Sequence, residues 1–319
     1  MRHLQSGIAV EAGIGLFSDA GNPLMRNFFT RRVVFTLTMR VLVVTALLLP
    51  SMAGALPRAS PVPGGIALID LGVVANGANR PRAWFGEQPV LVSADKGHWI
   101  AVLGLALDLP ERRHELRVSA QGEQMFLSFD VRAKHYPEQR ITLKDSSKVN
   151  LSAVDEARAI GEIATIQGLK RHWREADDTD SDFVLPADGR LASRFGLRRF
   201  FNGEPRAPHS GLDLAVPRGT PIRASAPGRV LAVDDYFFNG KTVFVDHGNG
   251  LISMYCHLDR IDVQAGDPVG QGQRLGLSGM SGRVSGPHLH WSVILNGAMV
   301  DPELFLPPKA LRTSAGIKR

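Results

Sequence analysis

Two histidines near the end of the chain have a spacing that suits metal binding. His288 and His290 lie in Ser-Gly-Pro-His-Leu-His-Trp, residues 285 to 291, and side chains two apart on a strand point to the same face. Further upstream, His209 and Asp213 flank Gly211, which leaves the space between these two candidate ligands empty. Imidazole nitrogens and carboxylate oxygens are the ligands of catalytic zinc, which takes three protein ligands and keeps a fourth position open for water. The residues therefore predict a zinc site.

A further histidine, His257, lies in the alternating segment Leu251-Ile-Ser-Met-Tyr-Cys-His-Leu258. The chain thus offers four histidines and one carboxylate where three ligands are enough. A structural zinc site would have four protein ligands and no further histidines beside them. Additional imidazoles next to a metal-bound water suit a general base and a group that stabilises the transition state. The alternative is a chance clustering of polar side chains, which the ordered motifs disfavour.

These motifs resemble those of the lysostaphin-type (LytM-like) zinc metallopeptidases, which cut peptide bonds in bacterial peptidoglycan. The resemblance runs from about Leu185 to Leu306. Its main motifs are His209-x-x-x-Asp213, Tyr255-x-His257 and His288-Leu-His290. Other matching segments are Ser193-Arg-Phe-Gly-Leu-Arg198, Gly219-Thr-Pro-Ile, Ala226-Pro-Gly-Arg-Val230, Asp246-His-Gly-Asn-Gly250, Gly270-Gln-Gly-Gln-Arg-Leu-Gly276 and Ser281-Gly-Arg-Val-Ser-Gly-Pro287.

The resemblance implies roles for individual residues. His209, Asp213 and His290 are expected to bind one Zn²⁺, while His257 and His288 act on the water and on the developing oxyanion. The motif His-Glu-x-x-His is absent, so the general base is not a glutamate on a helix. His257 and His288 both remain candidates for that role.

The predicted function is a zinc-dependent endopeptidase that hydrolyses peptide cross-links of bacterial peptidoglycan, with stem peptides as its partner. The expected bond is the direct D-alanine–diaminopimelate link of a Gram-negative wall. A non-catalytic LytM-like regulator of another wall hydrolase is the alternative, although such relatives characteristically lose ligands. A third possibility is a wall-binding scaffold in which the N-terminal domain matters most.

Composition agrees with an exported globular enzyme. The 319 residues exceed the usual size of one core, so two folded units are expected. A net charge of +6 and a sequence pI near 9.8 favour anionic partners. No basic stripe or reading motif for nucleic acid is evident, and the carboxylates of a cell wall are an equally anionic partner. A regulatory envelope protein is a further candidate partner.

The other reactive side chains have plainer interpretations. The single cysteine, Cys256, excludes an intrachain disulfide. On a strand it is expected to face away from the site that His257 enters, as a buried core residue rather than a nucleophile. His247 lies in Asp-His-Gly-Asn-Gly, which predicts a tight turn and a structural role. The remaining histidines are interpreted as structural or exposed: His3, His98, His114, His135 and His172.

Residues 1–55 are interpreted as an upstream extension plus a signal peptide. The segment Met39 to Ala55 has one positive charge, an apolar run and a small-x-small ending at Ala53-Gly-Ala55. Cleavage is expected after Ala55, and the apolar run is too short to span a bilayer. We expect export to the periplasm or cell envelope and no membrane span after cleavage. Translation is expected to start at Met39 or Met25, and mass spectrometry of the precursor tests this.

The fold class is predicted to be mainly β. Residues 56–145 are expected to form a β-sandwich-like domain, residues 146–184 a helix and an acidic linker, residues 185–308 an all-β antiparallel metallopeptidase domain, and residues 309–319 a basic tail. The N-terminal strands are predicted at Ile66–Val74, Pro89–Ser93, Trp99–Leu107, His114–Val118 and Met125–Val131.

The region between the two domains carries a helical pattern from Ser152 to about Trp173. Its predicted apolar face consists of Val154, Ala157, Ile160, Ile163 and Ala164. This face is expected to cover either the catalytic groove, as an inhibitor, or the N-terminal β-domain. The stretch from Asp177 to Asp182 is interpreted as a solvated linker rather than a calcium loop. Aromatic residues in Tyr236-Phe-Phe-Asn-Gly240 are expected to form either a groove wall or a hydrophobic plug.

Overall fold

The computed structural model describes residues 56–75, 79–142, 151–177, 179–308 and 310–313. The predicted signal peptide, its cleavage after Ala55 and the alternative starts at Met25 and Met39 lie outside these ranges, as does most of the basic tail. Within the described ranges, no helix has both the length and the apolar character needed to cross a bilayer.

The N-terminal region forms one six-stranded antiparallel sheet with the order β1-β4-β3-β2-β5-β6. Its strands are β1 (Ile66–Val73), β2 (Arg82–Phe85), β3 (Gln88–Asp95), β4 (His98–Gly104), β5 (Arg113–Ala120) and β6 (Glu123–Asp130). Five of the six match predicted segments. The sequence missed β2, because Arg-Ala-Trp-Phe is too short to show a period of two.

Most of the buried residues of this sheet converge on one core, whereas Ile66, Leu91 and Val102 pack toward the C-terminal domain. Alternate positions point inward, such as Val90 and Val92 on β3 or Leu116 and Val118 on β5, as the pleat requires. The sheet therefore curls around one hydrophobic cluster. The predicted sandwich-like packing is achieved by one continuous curved sheet.

The predicted helix exists as α1 (Ala153–Lys170), capped by the Ser152 hydroxyl, which accepts from the Asp155 amide. The prediction of its buried face is wrong. Val154 is 80% exposed and Ile160 is 62% exposed, whereas Ala159 on the other side of the helix is buried. The opposite side of the helix also carries apolar side chains at helical spacing, Ala159, Ile166 and Leu169, and these are the ones that pack inward. The hydrophobic pattern alone therefore did not determine which side is buried.

The helix packs on the C-terminal domain rather than on the N-terminal β-domain. Ile166 and Leu169 of α1 contact a cluster that includes Ile294, and Arg158 donates to the Asp235 carbonyl at 2.9 Å. Glu162 accepts from the Phe237 amide at 2.6 Å. The helix therefore supports the loop that begins at Tyr236. In that loop Tyr236 is buried, as the predicted hydrophobic plug requires, and Phe238 is 41% exposed. The groove wall stays a prediction.

The segment after α1 is not a free linker. Asn249 bonds to Ala176 and Thr179 through its side chain, and Ser181 and Phe183 are buried. The predicted solvated linker from Asp177 to Asp182 is thus docked at Thr179 and Ser181, whereas Asp177 and Asp182 are exposed as predicted. Buried hydrogen-bond partners on the C-terminal domain hold the chain against it.

The C-terminal domain is an antiparallel ten-stranded sheet whose main path is β16-β13-β14-β15-β18-β11-β8. Its strands are β8 (Arg190–Ser193), β11 (Leu212–Ala215), β12 (Pro221–Arg223), β13 (Gly228–Tyr236), β14 (Gly240–Gly248), β15 (Leu251–Ile261), β16 (Pro268–Val269), β17 (Arg274–Ser278), β18 (Leu289–Leu295) and β19 (Ala298–Val300). A 3₁₀ helix (Pro302–Phe305) and α2 (Ala310–Thr313) follow. The predicted all-β antiparallel domain is confirmed.

A small separate sheet connects the two regions. It consists of β7 (Glu138–Ile141), β9 (Arg198–Phe201) and β10 (Glu204–Pro205), with β7 parallel to β9. The domains also share a core, since Ile66, Leu91 and Val102 join the hydrophobic cluster of the C-terminal domain. Gly104 and the Asn296 side chain exchange hydrogen bonds of 2.7 and 3.1 Å. The N-terminal region is thus firmly docked.

Candidate metal centre

Strand register brings two of the predicted ligands together. Asp213 on β11 lies directly opposite His290 on β18, and directly opposite residues of an antiparallel pair share a face. Gly211 precedes β11 at a point of close approach. A Cβ atom there would collide with the Trp291 carbonyl oxygen and would lie 2.9 Å from Cε1 of His290. The predicted empty space at residue 211 is therefore used by the backbone and ring of β18.

His209 completes a cluster of three side chains. Its Nε2 lies 2.9 Å from Oδ1 of Asp213 and 3.1 Å from Nδ1 of His290, and that nitrogen is 2.9 Å from the same Oδ1. His209 and His290 are buried, and Asp213 is partly buried. We call His209, Asp213 and His290 the candidate metal cluster.

Carbonyl oxygens determine which ring nitrogens carry protons. Nδ1 of His209 lies 2.8 Å from the Arg194 carbonyl, and Nδ1 of His257 lies 3.0 Å from the Ser281 carbonyl. A carbonyl only accepts, so Nδ1 is protonated in each ring and Nε2 of the neutral ring keeps a lone pair. His288 follows the same pattern, with Nδ1 2.9 Å from the Gly286 carbonyl.

The residues of the candidate metal cluster fit a metal ion. Metal–nitrogen bonds of about 2.0–2.1 Å in a tetrahedral arrangement separate the ligand atoms by about 3.3 Å. The observed separations of 2.9 to 3.1 Å are close to this value. The lone pairs of two imidazoles and a carboxylate converge on one point, which a cation satisfies better than shared protons do.

His257 and His288 stand beside this cluster. The ring centroid of His257 lies 4.8 Å from that of His288 and 6.1 Å from that of His290. Nε2 of His288 lies 3.8 Å from Oδ1 of Asp213. The structure therefore brings all five predicted site residues into one place.

An unusual backbone conformation directs His257 into the site. Its φ of 64° lies in the left-handed region, which costs free energy for a residue other than glycine. The Asn239 carbonyl accepts from the His257 amide at 2.9 Å, so the loop after Tyr236 helps to hold this conformation. Sequence alternation alone could not indicate the turn.

This turn also explains why the prediction for Cys256 is wrong. Cys256 is directly opposite His290 in the sheet, so it lies on the site's face and not on the other one. It is buried, as expected. Burial raises the pKa of its thiol to about 12, which keeps the sulfur protonated and unreactive.

The surroundings of Asp213 and His257 shift the pKa values of both side chains. Burial raises the pKa of the Asp213 carboxyl, but hydrogen bonds from His209 and His290 outweigh it and hold this pKa well below its usual range. Burial, reinforced by the neighbouring imidazoles of His290 and His288, lowers the pKa of His257 to about 3. The site therefore favours an ionised carboxylate and a neutral His257.

Arg199 is a site residue that sequence reasoning missed. Its Nη2 lies 3.7 Å from Oδ2 of Asp213 and donates to the Ser193 hydroxyl at 3.4 Å. It thus contacts the carboxylate oxygen that His209 and His290 leave free. Arg199 directly follows the motif that ends at Arg198, and a second arginine there was the available signal.

The remaining histidines have other surroundings. His247 is buried, with Nδ1 2.7 Å from the Pro227 carbonyl and Nε2 2.7 Å from the Ser253 hydroxyl. Asn249 and Gly250 after it have positive φ, in agreement with the predicted turn. His98 pairs with Asp70 at 2.8 Å on the surface. His3 lies outside the described residues.

Comparison with known families identifies the family of this chain. A model of peptidase family M23 matches residues 207–302, and a model of the peptidase family M23 N-terminal domain matches residues 59–134. A crystal structure of a protein assigned to peptidase M23 from Pseudomonas aeruginosa is 42% identical, covers 77% of this chain and 95% of its own, and has a TM-score of 0.65. The chain belongs to peptidase family M23.

Two relatives that are similar over part of the chain are named peptidoglycan DD-endopeptidases. Peptidoglycan DD-endopeptidase ShyA of Vibrio cholerae is 43% identical over 120 residues, which are 37% of this chain and 28% of ShyA. Peptidoglycan DD-endopeptidase ShyC of the same species is 41% identical over 123 residues, 38% of this chain and 28% of ShyC. The chain thus aligns with less than a third of the length of these two relatives.

Proposed function

We propose that the protein is a zinc-dependent endopeptidase that hydrolyses peptide cross-links of bacterial peptidoglycan. The observation that carries the proposal is the candidate metal cluster with the rings of His257 and His288 beside it. Membership of peptidase family M23 and the DD-endopeptidase names of ShyA and ShyC support the same conclusion. A regulator without catalysis would not need five converging side chains.

Zinc is the metal that these residues suit best. Two neutral imidazoles and one carboxylate are a ligand set of catalytic zinc sites. Their combined charge of about −1 leaves a divalent ion with a net positive charge. When bound, zinc supplies Lewis-acid activation of a water molecule and of the scissile carbonyl. His209, Asp213 and His290 would hold it.

His257 and His288 would move the protons of the reaction. In each ring Nδ1 donates to a carbonyl, so the neutral form carries its lone pair on Nε2 and can accept a proton from the attacking water at that atom. The protonated ring can then donate to the departing amine or to the developing oxyanion. The Ser281 and Gly286 carbonyls accept from Nδ1 of the two rings, which fixes the orientation of each ring.

The proposed substrate is the D-alanine–diaminopimelate cross-link. ShyA and ShyC are named DD-endopeptidases, and a sequence pI near 9.8 suits an anionic wall. We further propose export to the periplasm or cell envelope after removal of residues 1–55, and regulation by another envelope protein.

Digestion of purified walls tests the proposal. The protein beginning at Leu56, loaded with zinc, is incubated with sacculi of a Gram-negative bacterium, and the products are separated by chromatography and identified by mass spectrometry. Loss of cross-linked dimers with a matching gain of monomers is expected. A His257→Ala, His288→Ala double variant that keeps zinc is the control. Undigested dimers, with zinc bound and the protein folded, would refute the function.

A further inference from the structure

A cleft of about 650 Å³ lies where the N-terminal sheet meets the segment after α1 and the turn between β14 and β15. Two indole rings line it, Trp84 from β2 and Trp173 from the segment after the helix. Its polar lining residues are Asn79, Arg80, Arg82, Glu175, Asp177 and Asn249. None of them belongs to the candidate metal cluster.

The walls of this cleft are held in place by the surrounding structure. Arg80 donates to the Ala176 carbonyl at 2.8 Å and so joins the two domains. The guanidinium of Arg117 lies 4.5 Å from the Trp84 ring centroid, and this cation–π contact holds the ring in place. Trp173 packs so closely on Gly250 that a Cβ atom there would lie 3.0 Å from its ring. A preformed cleft of this kind is typical of ligand sites.

The chemistry of the lining favours a neutral, polyhydroxylated ligand. Arginine supplies only donors, carboxylates supply only acceptors, and the two arginines are balanced by Glu175 and Asp177. Flat indole rings offer apolar faces with a polar handle, which suit the C–H faces of sugar rings. An anion would require an excess of positive charge, and a purely apolar ligand would not require the polar lining.

A peptide is the less suitable occupant. Peptides often bind by adding a strand to an open sheet edge. Here β2 is paired on both sides, with β3 and with β5, so the strand that carries Trp84 has no free backbone edge to offer.

We propose that this cleft binds the glycan strand of peptidoglycan. This inference rests on the proposed function, because the glycan is the part of the wall that carries the stem peptides. The turn at Asn249 and Gly250 leads into β15, and His257 lies six residues after Leu251, which is about 20 Å along an extended strand. The glycan would thus be held away from the reacting bond, and its binding would contribute to substrate retention rather than to the chemical step.

Calorimetric titration of the zinc-loaded protein tests the binding without relying on hydrolysis. The probe is the tetramer of N-acetylglucosamine, which is a neutral glycan. We expect saturable binding, with Kd raised about tenfold or more in Trp84→Ala and in Trp173→Ala. Arg82→Ala, whose side chain is 70% exposed, should weaken binding without affecting folding. Phe126→Ala, at a residue 59% exposed on β6, is the matched control and should bind like the parent protein.

Kinetics then separate this proposal from the proposed function. The tryptophan variants should show a higher KM on intact sacculi and an unchanged rate on a glycan-free cross-linked peptide. If no variant and no parent protein cuts either substrate, the proposed function fails while the titrations still report on the cleft. The glycan assignment is overturned by the absence of saturable binding, by unchanged Kd in both tryptophan variants, or by binding of a glycan-free stem peptide that depends on the two tryptophans.

Discussion

Replacing Gly211 by alanine should disturb the candidate metal cluster although none of its three residues is replaced. The added Cβ would collide with the Trp291 carbonyl oxygen and would lie 2.6 Å from the Ser292 hydroxyl and 2.9 Å from Cε1 of His290. Real Cβ atoms do not approach other heavy atoms so closely, and a backbone carbonyl cannot swing aside as a flexible side chain does. The start of β11 must therefore move away from β18, and Asp213 and His290 are opposite each other on these two strands.

The magnitude follows from the packing. Overpacking in a well-packed interior costs about 1–3 kcal/mol, which for a protein of this size corresponds to a decrease in Tm of roughly 2–10 °C. Because a metal site requires its ligands within a few tenths of an ångström, we also expect zinc affinity to fall by about tenfold or more, as it does when the support of a ligand is lost.

Thermal unfolding and competitive zinc titration measure both effects. Gly270→Ala is the matched control, because nothing lies within 4 Å of its added Cβ and its φ is not positive. Gly270→Ala should keep the parent Tm and zinc affinity. A Gly211→Ala protein with the Tm and zinc affinity of the parent would refute the argument that close approach at this glycine brings the ligands together.

Four further outcomes are expected. His209→Ala should remove zinc and hydrolysis together and lower Tm, and stoichiometric zinc by metal analysis would contradict its role. His257→Ala and His288→Ala should each retain zinc and lose on the order of 10²-fold in turnover, so near-normal rates would contradict the proton-transfer roles. Arg199→Gln should weaken zinc binding by about tenfold while Arg199→Lys partly restores it, and identical affinities by competitive titration would show that the contact with the carboxylate is incidental. Burial lowers the pKa of His247 from 6.5 to about 4, so the unfolded chain takes up a proton first as the pH falls, and the free energy of unfolding should drop by about 3 kcal/mol between pH 6.5 and pH 4. Denaturant unfolding measures this free energy, and the His247→Gln protein should lack the decrease. A His247→Gln protein with the pH profile of the parent would show that another group causes it.

Much of the candidate site could be predicted from the sequence because its ligands come from local patterns. His288 and His290 share a face through a spacing of two, and the same rule applied twice aligns His209 with Asp213 on either side of Gly211. Single strands of five to eight residues carry their own periodicity, and for that reason the N-terminal strands were predicted except for the four-residue β2. Each of these inferences depends on neighbours in the chain.

The rest was decided by tertiary structure, because it depends on which surfaces meet. The helix α1 has apolar residues on more than one side, and only the shape of the sheet below determines that Ala159 is buried while Ile160 is exposed. Cys256 shares a face with His290, its partner in the sheet, and His257 also enters the site because its left-handed backbone breaks the strand alternation. The Asn239 carbonyl, in the loop between β13 and β14, holds that conformation. Arg199 reaches Asp213 through space, and the cleft between Trp84 and Trp173 exists only where the two domains dock. Strand alternation and the spacing of the ligands are local patterns that can be seen in the sequence. Contacts between residues distant in the chain produce no such pattern.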